Sequence, residues 1–184
     1  MAPHMAHGLG GIMIFPYLPF TVDPLVAADS NSVLLLRGGE PVIERYDLAG
    51  RLVGRIIWSL PRVPVTRDLY RRLVAADVGT ITDAQQKRLW QSYYDQDLPM
   101  PEVVPAYRGL YVDETRHLWV ERYRLPGQTE RIWDVIAPDG RWLGPVKLPG
   151  RFWLHRAGAA FLVGTQMDSL DVERVQVYDL RRPQ

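Results

Sequence analysis

Residues 117–149, HLWVERYRLPGQTERIWDVIAPDGRWLGPVKLP, restrict the fold of this chain more than any other stretch, because short apolar runs alternate there with turn residues at strand spacing. Leu118-Trp119-Val120 precedes a Pro126-Gly127 turn. Residues 131–137 carry Ile132, Trp133, Val135 and Ile136, and Pro138-Asp139-Gly140 then leads into a third apolar run over 142–146. Three consecutive strands joined by two tight turns are expected, and they make up most of one repeated unit.

The same grammar precedes and follows this stretch. Residues 25–28, 33–36, 42–46 and 52–58 read as four short strands separated by Asp29-Ser30-Asn31, Gly38-Gly39 and Ala49-Gly50. The run Val33-Leu34-Leu35-Leu36 lacks alternation and predicts a strand covered on both faces. Residues 12–20 are interrupted by Pro16 and Pro19, which predicts a short edge strand running into an extended link. Residues 109–113 should form an inner strand, and 152–155, 160–164 and 172–178 three strands of a last unit that lacks a fourth.

Between residues 66 and 98 the apolar period becomes helical. Leu69, Tyr70, Leu73 and Val74 follow Thr66 as a candidate cap. A second stripe, Leu89, Trp90, Tyr93 and Tyr94, follows Thr82, with Gln85 placed to complete a capping box. A helical pair inserted into a β scaffold is expected, with Arg67, Arg71 and Arg72 on its wet face.

Composition narrows the function more than it defines it. A chain of 184 residues, 47% hydrophobic and with a net charge of +1, can bury a sizeable core and carries no excess charge that would call for nucleic acid. Without cysteine it has no disulfide, no thiolate metal site and no cysteine nucleophile. No nucleophile elbow, phosphate loop or paired-histidine zinc motif is present. The first twenty residues lack a basic segment and a long apolar run, so neither a signal peptide nor membrane insertion is expected. His4 and His7 read as part of a terminal segment.

The units align. Tyr46-Asp47-Leu48 recurs as Tyr178-Asp179-Leu180, Gly50-Arg51-Leu52-Val53-Gly54 recurs as Gly140-Arg141-Trp142-Leu143-Gly144, and 43 residues separate Leu118 from Phe161. A four-stranded unit of roughly 40 to 45 residues is the period of a propeller blade. With Val112-Asp113 before His117-Leu118-Trp119-Val120, the turn Pro138-Asp139-Gly140-Arg141, and the closing residues 173–178, the chain resembles the six-bladed β-propellers of the NHL and TolB-like kind. The resemblance implies a mainly all-β fold: a partial propeller of four-stranded antiparallel blades with an inserted αα pair, similar to the C-terminal half of such a protein. It divides the single domain into a blade tail (12–22), a blade (24–60), the helical insertion (66–98), a second blade (106–148) and an incomplete final blade (151–180).

The resemblance also implies a non-enzymatic binding or scaffold module that contacts a protein or peptide through blade-end loops. It implies no cofactor, and either self-association or missing N-terminal blades. The alternative it carries is a metal-dependent hydrolase or lactonase with a site in the central channel, for which Asn31 is the candidate ligand. Asp134 interrupts an apolar strand, so its carboxylate needs a partner, and Arg122, Arg124 and Arg131 are the candidates. Asp134, Arg122, Arg124, His117 and Trp142 are the residues placed for ligand or partner contact. His155 is expected at a strand end, Asp47 and Asp179 at turns, and Trp119, Trp133, Trp142 and Trp153 in packing between units.

Overall fold

Strand after strand turns back on its predecessor, and aspartate heads the connections at Asp29, Asp47, Asp113 and Asp168. The computed structural model describes residues 7–9, 12–14, 17–37, 40–170 and 172–181. In chain order these form β1 (His7–Leu9), β2 (Ile12–Ile14), β3 (Leu25–Ala28), β4 (Ser32–Leu36), β5 (Val42–Asp47), β6 (Leu52–Ile57), α1 (Arg67–Gly79) and α2 (Ala84–Tyr94). There follow β7 (Tyr107–Val112), β8 (Leu118–Arg122), β9 (Glu130–Ile136), β10 (Trp142–Pro149), β11 (Phe152–Ala157), β12 (Phe161–Met167) and β13 (Glu173–Asp179). The protein is mainly β: β3–β6 and β7–β10 make four-stranded antiparallel meanders, and β11–β13 a three-stranded one.

Several of the hairpins share one construction. In 47–51, 113–117 and 137–141 the first N–H bonds the fifth carbonyl, and the fourth residue lies in the left-handed region: Gly50, Arg116 and Gly140, at φ 79°, 65° and 91°. This is a type I turn closed by a bulge, whose fourth position favours glycine. The Asp47 carboxylate accepts from the N–H groups of Ala49 and Arg51, and Asp113 does the same for Thr115 and His117. Asp168 repeats the arrangement with Leu170 and Val172.

The chain divides into two compact units. One comprises the described residues up to Val22, with Pro61–Pro105 and Leu125–Gly127. In it Thr66 caps α1 by accepting from the Leu69 N–H. Asp83, rather than the expected Thr82, caps α2, because its carboxylate reaches the N–H groups of both Gln85 and Gln86. Val78, Leu89, Tyr93 and Tyr94 form the buried seam between the helices. The backbone of Val63 and Val65 pairs with that of Glu102 and Val104, drawing together the chain segments on either side of the helical pair. Strand β2 pairs with β1 and not with any strand of the three meanders; His4, Phe15 and Pro16 lie outside the described residues.

The other unit comprises Asp23–Leu60, Ala106–Arg124 and the described residues from Gln128 onward. Its three sheets stack face to face. Leu34, Leu36 and Ile43 of the first sheet pack on Tyr107, Leu118, Val120 and Ile136 of the second. On the second sheet's other side, Trp119, Trp133, Val135 and Leu148 pack on Phe152, Ala157 and Leu162 of the third. The strand covered on both faces is therefore β8, buried from Leu118 to Glu121. The expectation for 33–36 is corrected: Leu34 and Leu36 are buried and Val33 and Leu35 only half so, because the first sheet has a neighbour on one side.

The 43-residue register is also shifted. Leu118 faces the first sheet, but in β12 it is Leu162, not Phe161, that faces back toward the preceding sheet. The hairpin before β12 closes from Gly158 to Phe161, one residue shorter than the turn from Asp113 to His117, and one residue moves a strand's side chains to the other face.

Candidate functional site

Three charged clusters and two open sheet faces are the features of the stacked unit that packing alone does not use up. The first cluster surrounds Asp134, whose side chain is 0% exposed. Strand alternation places Asp134 and Arg122 on the side of the second sheet that faces the first. Arg122 grips the carboxylate through Nε and Nη2, both at 2.8 Å, and the exposed Trp142 donates from its indole N–H at 3.0 Å. The Tyr107 hydroxyl also reaches Asp134 and accepts the Trp58 indole N–H from the end of the first sheet. Burial, then the Asp134 charge, pushes the Tyr107 phenol well above its usual range, while hydrogen bonding to Asp134 raises the Arg122 guanidinium. A carboxylate with this many donors is a satisfied structural anchor with its lone pairs occupied.

Of the residues expected at a site, the structure brings Asp134, Arg122 and Trp142 together. Arg124 and Arg131 belong to a second cluster on the opposite side of the same sheet. There Arg131 donates to buried Glu121 at 2.8 Å, Arg108 stands 3.7 Å from the same carboxylate, and Arg124 and Arg131 both donate to the Gly150 carbonyl. Burial, followed by the like charges of Arg131 and Arg108, lowers the Arg124 guanidinium. Arg131 also lies over the Trp153 ring at 5.1 Å.

His117 belongs to the β7–β8 turn, where its ring meets the Thr115 hydroxyl, with Asp113 at 3.5 Å. His155 meets Thr165, and the Asn31 N–H donates to Asp29 within a turn. Among the described residues no three His, Cys, Asp or Glu side chains are grouped to hold a metal ion, and no helix is long and apolar enough to cross a membrane.

Sequence reasoning missed Tyr107, Trp58 and Glu121, and above all the counterpart of the Asp134 pair on the first sheet. Val120 opposes Asp134 as Leu35 opposes Glu44, and Arg122 follows Val120 by two residues as Arg37 follows Leu35. Glu44 accordingly pairs with Arg37 at 3.2 Å, and also with Arg55 at 3.1 Å and the Tyr46 hydroxyl at 2.8 Å. The Tyr46 bond, with Arg55 and Arg37 behind it, holds its carboxyl below the usual range against the opposing effect of desolvation. The repeated spacing Leu35-x-Arg37 and Val120-x-Arg122 is the sequence signal for this equivalence.

The open faces are the outer sides of the end sheets. On the third sheet, alternation from inward Leu162, Gly164 and Tyr178 turns Phe161, Val163, Val175 and Val177 outward, and the two β13 valines are 71% and 64% exposed. On the first sheet Val26 and Ile57 point outward and are 62% and 68% exposed. Set against known proteins, the chain matches no family model, no curated protein and no solved structure.

Proposed function

We propose that this chain is a non-enzymatic interaction module of stacked, propeller-type blades that engages a protein partner through sheet surface, with no centre of chemistry. The observation that carries the reading is the outer face of the third sheet, where Phe161, Val163, Val175 and Val177 form an apolar surface on a sheet already packed from the other side. Apolar strand rows left in water are characteristic of contact surfaces. The charged clusters fit this reading, because their carboxylates are held by arginine, tyrosine and tryptophan donors of the same unit.

Substituting Val175→Lys together with Val177→Lys tests it. Sedimentation across dilution should show concentration-dependent association of the parent chain and its loss in the variant, with the same melting temperature at high dilution, where both are monomeric, because neither valine belongs to the packed core. A parent chain that stays monomeric throughout, or a variant whose melt falls as for a core substitution, overturns the reading.

A further inference from the structure

The outer face of the first sheet repeats, in the open, a surface that the second sheet keeps sealed. On the second sheet the Arg122–Asp134 pair lies beneath the first sheet, flanked by Leu118 and Val120, and the carboxylate is fully buried. On the first sheet the equivalent Arg37–Glu44 pair is flanked by Val33 and Leu35, with Arg37 70% and Glu44 14% exposed. What packs on this side of the second sheet is the largely apolar inner face of another blade, Leu34, Leu36 and Ile43. The surface that suits Glu44 is therefore a face of the same kind, and this unit has one such face free: the outer side of the third sheet.

We propose that two copies associate head to tail, with the outer face of each third sheet seated on the outer face of the other copy's first sheet. This rests on the module reading above and names its partner. The contact extends the face-to-face packing already used twice within the unit. Charge complements it: the receiving face carries Arg37 and Arg55 around a single Glu44, whereas Glu173 and Asp179 share the outward face of β13 with the valines. Two copies bring six sheets into one cycle, within the four to eight that closed radial stacks use. Because the contacting surfaces differ, the interface is heterologous, and it is satisfied at both ends only if the cycle closes.

Two variants separate this arrangement from any other. The first, Val175→Lys with Val177→Lys, sets positive charge against Arg37 and Arg55. The second, Val26→Glu with Ile57→Glu, sets negative charge against Glu173 and Asp179. Sedimentation velocity should show a discrete dimer for the parent chain and a monomer for each variant alone. An equimolar mixture should again be dimeric, because one interface is then unaltered and the other joins lysines to glutamates. The milder Glu173→Arg should weaken the parent dimer about tenfold through like-charge contact, which gives a readout should a double variant fold poorly.

A second variant that still dimerises, or a mixture that stays monomeric, overturns the head-to-tail contact while leaving the module reading standing. A parent chain forming a ladder of higher oligomers overturns closure. A parent chain monomeric at every concentration overturns both.

Discussion

Asp134 and Glu44 occupy the same place in two successive sheets, yet burial gives them different weight. Around Asp134 the first sheet excludes water, so removing the carboxylate leaves the Arg122 guanidinium half-buried without its counter-charge. Asp134→Ala should lower unfolding free energy by about 3 kcal/mol, the lower end for breaking a buried pair, since Arg122 keeps some exposure. Glu44→Ala should cost clearly less than Asp134→Ala because both of its arginines are solvated. Paired denaturant titrations check the contrast, and equal losses would remove the argument. Gly164 shows steric control in place of charge. A Cβ there would run into the Trp153 carbonyl and the Phe152 ring, which lies directly over the glycine. Gly164→Ala should therefore destabilise by about 1–3 kcal/mol, the usual range for overpacking. A neutral result would mean that the Trp153 backbone and the Phe152 ring both move aside freely. Residue parity in the sequence is enough to set Arg131 aside as a partner, since it is three positions from Asp134 and hence on the other face of β9. The choice of Arg122 needed the pairing of β8 with β9, which no local pattern contains.

At the scale of the element, the turns were the most legible part of the chain, because their residue types have local causes. Asp47, Gly50, Pro138 and Gly140 stand where a type I turn with its bulge requires them. Arg116 escaped notice because it holds a positive φ without being glycine, while its guanidinium reaches Asp29 at 3.2 Å. The turn aspartates also make the hairpins sensitive to acid. Backbone N–H donors, Arg51 for Asp47 and Val172 with Leu170 for Asp168, hold both carboxyls below the ordinary value. A folded value below the unfolded one gives stability that is fully present above the unfolded value, near pH 4, and lost as pH falls through the folded value. Melting temperatures of the parent chain and of Asp168→Asn should therefore differ at about pH 6 and converge by about pH 2. A gap that persists in acid would show that the substitution acts through turn geometry and not through charge. Thr82 and Asp83 show the limit of such reading, since both are capping residues and only the backbone path decided which one reaches Gln85 and Gln86.

Across the whole molecule, the mainly β architecture and the helical pair could be read from period and punctuation, but the assignment of faces could not. A hairpin one residue shorter moves Phe161 outward and Leu162 inward, and the continuous run 33–36 lies in a sheet with one neighbour. The doubly covered strand, Leu118-Trp119-Val120-Glu121, is equally unalternating; the difference between the two runs lies in what packs on the far side, which is a property of the stack. That difference predicts a gradient of local stability. Opening β8 or β9 must break both interfaces of the second sheet, Leu118, Val120 and Ile136 on one side and Trp119, Trp133 and Val135 on the other. Opening β13 exposes little that is not already exposed at Val175 and Val177, and that strand pairs with β12 alone. Amides that exchange only through the largest openings report the most protected elements. Hydrogen exchange of the dilute protein should therefore be slowest in β8 and β9, intermediate in β4, β5 and β12, and fastest in β3, β6 and β13. Raising the concentration should slow the first and third sheets, above all the exposed strands β3, β6 and β13, because the head-to-tail contact covers their outer faces and leaves the centre of the stack unchanged. Uniform protection across the three sheets would show that they unfold as one block, and a maximum in β13 would place the core elsewhere than between the sheets.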